Sequence, residues 1–203
     1  MIKTFAFLDL ETTGLPAQES NLTRITELCI VVCSVAHLKN QPQPRVLHKL
    51  SMCFNPNRNI SKKSVDITGL TNELLKDESQ FDENAADLLV RFLSQLQQPV
   101  CLVAHNGNTF DYPILKAHLD SVGKSLPDTI VCCDSLKIFR QTNNKWKKFS
   151  LALIYKRLFG VDPPNAHNAE ADVISLMNCV LVDPKFIDVA QRDSNCFSSI
   201  VAL

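Results

Sequence analysis

Asp9 and Glu11 stand two residues apart at the end of an apolar, strand-like segment, TFAFLDLE. On a strand, side chains at i and i+2 point to one face, roughly 7 Å apart along the backbone. Two carboxylates so placed at a buried strand end repel each other unless a cation lies between them. Asp111 falls in helical register with Ile114, Leu115, His118 and Leu119, on an apolar stripe. Burying a lone carboxylate is costly, so Asp111 needs a partner or a metal, although a first-turn aspartate is also served by the helix dipole. Asp172 aligns with Val173, Leu176 and Val180 on the inward stripe of a helix over 168–182, for which Asn168 is a good N-cap. His167 precedes that helix in a loop, free to face the same cleft.

Hard oxygen donors in such a cluster suit Mg²⁺ or Mn²⁺ rather than zinc. Two such ions roughly 3.5–4 Å apart clamp the attacking and leaving oxygens of an in-line displacement. A neutral histidine is the expected base for the attacking water. The chemistry implied is phosphodiester hydrolysis.

The elements that must position these residues alternate in period. Residues 4–11, 25–38 and 45–54 read as strands with short connections, the second connection a turn at 41–44 (QPQP), which favours an antiparallel meander. Ser79 and Asp82 form a capping box before a helix carrying Leu88, Leu89, Phe92, Leu93 and Leu96, ended by Pro99. Residues 100–104 and 130–133 read as buried strands, with the Asp111 helix between them stopped at Gly123. Helices follow over 149–159, 168–182 and 185–192. The expected fold is α/β: a mixed five-stranded sheet, a meander of strands 1–3 then parallel strands, flanked by helices, in a single domain over 1–203.

Composition narrows the function class. The 203 residues are 45% hydrophobic and 21% charged, an ordinary globular balance that excludes disordered and coiled-coil chains. Lys+Arg and Asp+Glu both number 21, which excludes a polybasic protein. From 137 to 157, however, there are seven basic residues and no acidic one, a local patch for an anionic partner. Lys145, Lys147 and Lys148 sit in a stretch, 140–148, that reads as a mobile loop. No apolar run approaches the roughly 18 residues of a membrane span, and no leader pattern opens the chain. The eight cysteines contain no Cys-x-x-Cys pair, so they read as reduced thiols of a cytoplasmic or nuclear protein rather than zinc ligands.

Three segments carry a family resemblance: FLDLETTGLP (7–16), HNGNTFD (105–111) and HNAEAD (167–172). They resemble, in order, the three motifs of the DEDDh exonucleases, and within that superfamily the chain is most similar to the three-prime repair exonuclease (TREX) family. KLSMC (49–53), ITGL (67–70), LVAHNG (102–107) and KFSL (148–151) extend the resemblance over nearly the whole chain. It implies an RNase H-like fold and removal of nucleotides from DNA 3′ ends, single-stranded or frayed, as 5′-monophosphates. It implies two Mg²⁺, replaceable by Mn²⁺, held by Asp9, Glu11, Asp111 and Asp172, with His167 as general base. It implies that Glu11, Thr12, Leu15, Pro16, Ile67, Phe110 and His167 meet the terminal nucleotides, and a homodimer joined along an edge strand near 45–54. Apolar wedges and aromatic faces hold bases without reading sequence. Lys145, Lys147, Lys148 and Trp146 then serve the DNA backbone or stack on a base.

The chain departs from the family pattern in three places. Phe110 stands where members often have Tyr, removing a phenolic hydrogen bond. A long proline-rich insert shrinks to 41–44, and no membrane-anchoring tail follows, which implies a minimal catalytic domain without membrane attachment. An RNA exonuclease of the same superfamily shares these carboxylates, and discrimination falls to 2′-hydroxyl contacts. A catalytically silent nucleic-acid-binding module is the alternative from another class, although such a module has no need of His167 beside four acids.

Overall fold

In the computed structural model, which describes residues 1–40 and 44–203, β1 (Thr4–Thr12) runs through the middle of the molecule. It pairs antiparallel with β2 (Ile25–Ser34), which pairs antiparallel with β3 (His48–Cys53). On its other side β1 pairs parallel with β4 (Val100–Ala104), and β4 with β5 (Ile130–Asp134). The sheet is therefore a meander continued by parallel strands, as the pattern predicts. A sixth, two-residue strand, β6 (Asn195–Cys196), adds antiparallel to β5 and gives the order β3-β2-β1-β4-β5-β6. Two residues are too few for periodicity to register.

Side-chain alternation along β1 divides the core. Ala6, Leu8 and Leu10 face one layer with α4 (Glu83–Ser94) and α5 (Asp111–Ser121). Phe5 and Phe7 face the other, with Val173, Leu176 and Val180 of α8 (Ala169–Val182) and Phe186 of α9 (Phe186–Asp193). Asp9 and Glu11 continue the Phe5–Phe7 face beyond the end of the β1–β4 pairing, which stops at Phe7 opposite Val103. The protruding end of β1 thus presents both carboxylates toward the start of α8.

Several expectations shift at their boundaries. The strand read over 25–38 ends at Ser34, and Val35–Asn40 turns into a short helix, α1. The strand read over 45–54 is confined to His48–Cys53. The turn read at 41–44 falls, for residues 41–43, outside the described residues. Besides α1, three helices lie where no helix was expected: α6 (Ser135–Thr142), capped by Asp134, and two shorter ones, α2 (Lys62–Thr68), capped by the Ser61 hydroxyl, and α3 (Asn72–Leu75), capped by Thr71. Both are too short to show a periodic stripe. Asp82 caps α4 itself, accepting from the Ala85 amide, while the Ser79 carbonyl accepts from Asn55, so there is no Ser79–Asp82 box. The loop read over 140–148 begins inside α6 (Ser135–Thr142). Helix α7 (Leu151–Phe159) follows it.

Candidate active site

Asp9, Glu11 and Asp172 each offer a carboxylate oxygen to one cluster, all within 4.8 Å of one another. The strand brings the first two. The third comes from the first turn of α8, whose N-terminus is fastened by the Asn168 cap, which accepts from the Ala171 amide at 3.1 Å. The Ala169 amide donates to Glu27 Oε2 at 3.2 Å. Glu27 lies on β2 directly opposite Glu11, buried beneath the cluster, where the partial positive charge of the helix N-terminus meets its carboxylate.

Asp111 comes from the opposite layer; it is not one of the three clustered carboxylates, but its charge acts on Asp9. It is 2% exposed at the start of α5, and its Oδ1 has no hydrogen-bond partner among the described residues. Its helix is pinned by Tyr112, whose buried hydroxyl donates to the Cys133 carbonyl at 2.6 Å and accepts from the Ala104 amide at 2.9 Å. Gly107 is required here: a Cβ would sit 2.7 Å from the Tyr112 ring. Asp134 holds the loop before α5, its Oδ1 accepting from the Asn106 amide at 3.0 Å and its Oδ2 from Asn108 at 3.2 Å. His105 completes the brace, its Nδ1 2.9 Å from Ser135 Oγ and its Nε2 2.8 Å from the Phe149 carbonyl.

The electrostatics follow from this crowding. Burial raises the Asp9 carboxyl well above its ordinary range, and Asp111, Glu11 and Asp172 add to the rise. Burial, then the charge of Asp172, pushes Glu11 up to about 8. Burial lifts Asp111 to about 7 against the pull of the backbone amides of Asp111 and Leu10. Asp172 is raised by burial and pulled back by the His167 amide and imidazole. Acids that so resist ionisation form an oxygen-rich cluster consistent with divalent-metal binding.

His167 adopts a left-handed backbone, φ 69°, and its amide donates to Asp172 Oδ2 at 2.9 Å. Its imidazole is exposed at the rim. Beside the cluster a cavity of about 200 Å³ is lined by Glu11, Thr12, Leu15, Ile67 and Phe110, five of the residues expected to meet a nucleotide. Lys63 and Ser64 of α2 join them, contributions hidden in a helix the sequence pattern does not reveal. Pro16 does not line the cavity; it starts the single 3₁₀ turn that follows Leu15. A larger cleft of about 540 Å³, between Arg24, Arg58, Phe81 and His118, includes none of the four acids.

Lys145, Lys147 and Lys148 are exposed and make no ion pair among the described residues. Trp146 does not join them. It packs inward on Phe149 and the second core layer, with the Arg157 guanidinium 5.2 Å from its ring centre, so it is not poised to stack on a base. Glu27 and Asp134 escaped the sequence reading. Their signals were present: a carboxylate in the middle of an apolar strand, and an aspartate at a strand end just before a helix.

A family profile described as Exonuclease matches residues 6–180. Three-prime repair exonuclease 1 of Homo sapiens is 36% identical over 199 residues, covering 87% of this chain. The chain spans 62% of that relative's length. Three prime repair exonuclease 2 of Mus musculus is 36% identical over 191 residues, covering 86% of this chain and 81% of that protein. Among solved structures, E. coli ExoI in a complex with ssDNA matches with a TM-score of 0.71 at 18% identity, over 94% of this chain and 41% of that one. Cell-death related nuclease 4 matches with a TM-score of 0.70 at 16% identity, over 96% and 66%. These two likenesses speak for the fold, an RNase H-like mixed sheet with flanking helices. By profile and by identity to its relatives, the chain belongs to the exonuclease family and, within it, to the three-prime repair exonucleases.

Proposed function

We propose that this chain is a single-domain, metal-dependent 3′→5′ DNA exonuclease that releases 5′-deoxynucleoside monophosphates. The observation that carries the reading is the junction of two features: a cluster of mutually repelling carboxylates opens beside a cavity of about 200 Å³ with apolar and aromatic lining. Asp9, Glu11, Asp111 and Asp172 would hold two Mg²⁺, or Mn²⁺. Such ions supply Lewis-acid stabilisation of charge on the phosphoryl oxygens. Leu15, Ile67 and Phe110 seat the terminal nucleotide by apolar contact, which tolerates any base. His167, on the exposed rim beside Asp172, takes the proton of the attacking water at its imidazole. Asp172 orients His167 by accepting its backbone amide.

The exposed lysines 145, 147 and 148 hold the strand by its phosphates. The segment that carries them is tied to the loop before α5 through the His105–Phe149 hydrogen bond. Strand β3 is the sheet's outer strand, and its open edge is the surface through which two copies pair. Unpaired thiols at all eight cysteines accord with a cytoplasmic or nuclear setting. Among the described residues no helix is long and apolar enough to cross a membrane.

The test is a time course on a 5′-labelled single-stranded DNA oligomer with Mg²⁺ and with EDTA. The expected result is a ladder shortening from the 3′ end only with metal. Faster shortening of a matched RNA would move the reading to an RNA exonuclease. Tight binding without product in Mg²⁺ or Mn²⁺ would leave a binding module.

A further inference from the structure

Two walls of the 200 Å³ cavity beside the acids have separate sequence origins. One is the turn after β1, with Leu15 at its tip; the other is α2, with Ser64 and Ile67. Neither wall belongs to the sheet, so their spacing needs a fastening of its own. Glu19 stands behind the first wall. Its Oε2 accepts from Thr13 Oγ1 at 2.8 Å and from Thr23 Oγ1 at 2.9 Å. Its carboxylate packs against the turn itself, since a Cβ on Gly14 would lie 3.0 Å from Glu19 Cδ.

The other oxygen, Oε1, lies 3.4 Å from Arg58 Nη2. Arg58 also donates to the Leu22 carbonyl through Nη1. Its own carbonyl accepts from Asn72 Nδ2 at 2.7 Å, and Asn72 Oδ1 accepts from the Ile60 amide at 2.9 Å. Arg58 is thereby fixed in the segment that enters α2. A backbone bond from Ser61 N to the Thr13 carbonyl, 2.8 Å, closes the join. The Glu19 side chain is only 11% exposed, so its charge is largely desolvated and depends on these partners, unlike a solvated surface pair.

We propose that Glu19 and Arg58 are positioning residues: a clasp that sets the width of the terminal-nucleotide cavity and thereby the seating of the 3′-terminal base. The proposal rests on reading that cavity as the terminal-nucleotide site. The clasp touches none of Asp9, Glu11, Asp111 or Asp172, which are held by β1, α5 and α8. Loosening it therefore acts on the base and not on the reacting phosphate, and its effect exists only when a base is there to seat.

The experiment compares kcat/KM on two oligodeoxynucleotides that differ only in the last residue, one normal and one abasic. Arg58→Ala should lose about tenfold on the normal end, the scale of a misfitted apolar pocket. On the abasic end it should run within about twofold of the parent, a coupling read as in a double-mutant cycle. Arg58→Lys should recover part of the loss. Glu19→Gln keeps an acceptor for the two threonine hydroxyls but not the charge facing Arg58, and should repeat the Arg58→Ala pattern. Equal losses on both ends, or none on either, in an active parent would overturn the clasp. A parent that shortens neither oligomer defeats the exonuclease reading, and the clasp with it.

Discussion

Asp9, Glu11, Asp111 and Asp172 descend from a central strand and two helices packed on opposite faces of the sheet. His167, Lys145, Lys147 and Lys148 are carried on exposed chain, with little holding their side chains. The acids are crowded against their own electrostatics, each with a carboxyl raised by burial. The cations and the imidazole keep the solvated freedom of the surface. Under the proposed function, one region is preorganised for the charge of metal ions and the other is ordered by the substrate. Substitutions in the first should alter chemistry without loosening the fold, and those in the second should alter binding or proton transfer by smaller amounts.

The sharpest break is Asp172→Ala. It removes one cluster oxygen and the acceptor for the His167 amide. Charge stabilisation worth several kcal/mol corresponds to a loss of about 10³-fold or more in kcat. The melting temperature in EDTA at pH 8 should stay level or rise, because a repelling carboxylate is gone. A variant that unfolds would place Asp172 among the structural residues instead.

His167 separates the two regions more finely. As general base it is worth about 10²–10⁴-fold. Its left-handed backbone at φ 69° costs a residue with a Cβ more than it costs glycine. His167→Gly should therefore lose at least about 10²-fold in kcat while melting slightly higher than the parent. If activity survives, His167 is only the loop residue that positions Asp172 through its amide.

The four acids could be read from the sequence because the core pattern of their elements fixed their direction. Asp9 and Glu11 continue the face of Phe5 and Phe7, and Asp172 follows the register of Val173 and Leu176. Asp111 was equally visible, but not the reason it matters, since the burial that leaves its Oδ1 without a partner comes from tertiary packing. The nucleotide cavity was legible only as far as the family resemblance carried it. Its second wall, α2, is seven residues long and shows no stripe. Glu27 and Asp134 left visible signals, but the partners they hold, Ala169 and the 106–108 amides, lie at sequence distances that local periodicity does not span, as does the Arg58 partner of Glu19. Trp146 was misread for a related reason: a tryptophan among lysines looks like a stacking platform until Arg157 and Phe149 are seen to hold it inward.

Proton linkage tests the strain in the acid cluster without touching the rim. Burial, then the charge of Asp172, pushes the Glu11 carboxyl from its ordinary 4.5 up to about 8 in the metal-free fold. A raised carboxyl favours the folded state fully below its unfolded pKa, and that contribution is lost as pH rises through the folded value. The metal-free protein should therefore melt lower at pH 8.5 than at pH 6.5, by roughly 2–4 °C for each kcal/mol lost in a chain of this size. Saturating Mg²⁺ should restore stability mainly at the higher pH, because cation and proton compete for the same oxygens. A melting temperature that ignores both pH and Mg²⁺ across this window would mean that the acids are not crowded as described.

The smallest expected effect belongs to the rim lysines, and it shows as a slope and not a loss of rate. Arg140 and Arg157, in the same basic stretch, are committed to the Phe149 and Trp146 rings, so charge count alone overstates what the patch offers a nucleic acid. Lys145, Lys147 and Lys148 have no such commitment. Each phosphate neutralised on a single strand contributes about 0.7 to the slope of log K against log salt. Changing all three to alanine should flatten that slope by up to about 2 while leaving kcat at saturating DNA near the parent value. Changing Arg157 instead should hardly move the slope but should lower stability, because its guanidinium also donates to the Lys148 carbonyl at 2.5 Å and so ties α7 to the basic segment. An unchanged slope in the triple variant would show that the three lysines face only solvent, leaving the acid cluster and the nucleotide cavity to hold the strand alone.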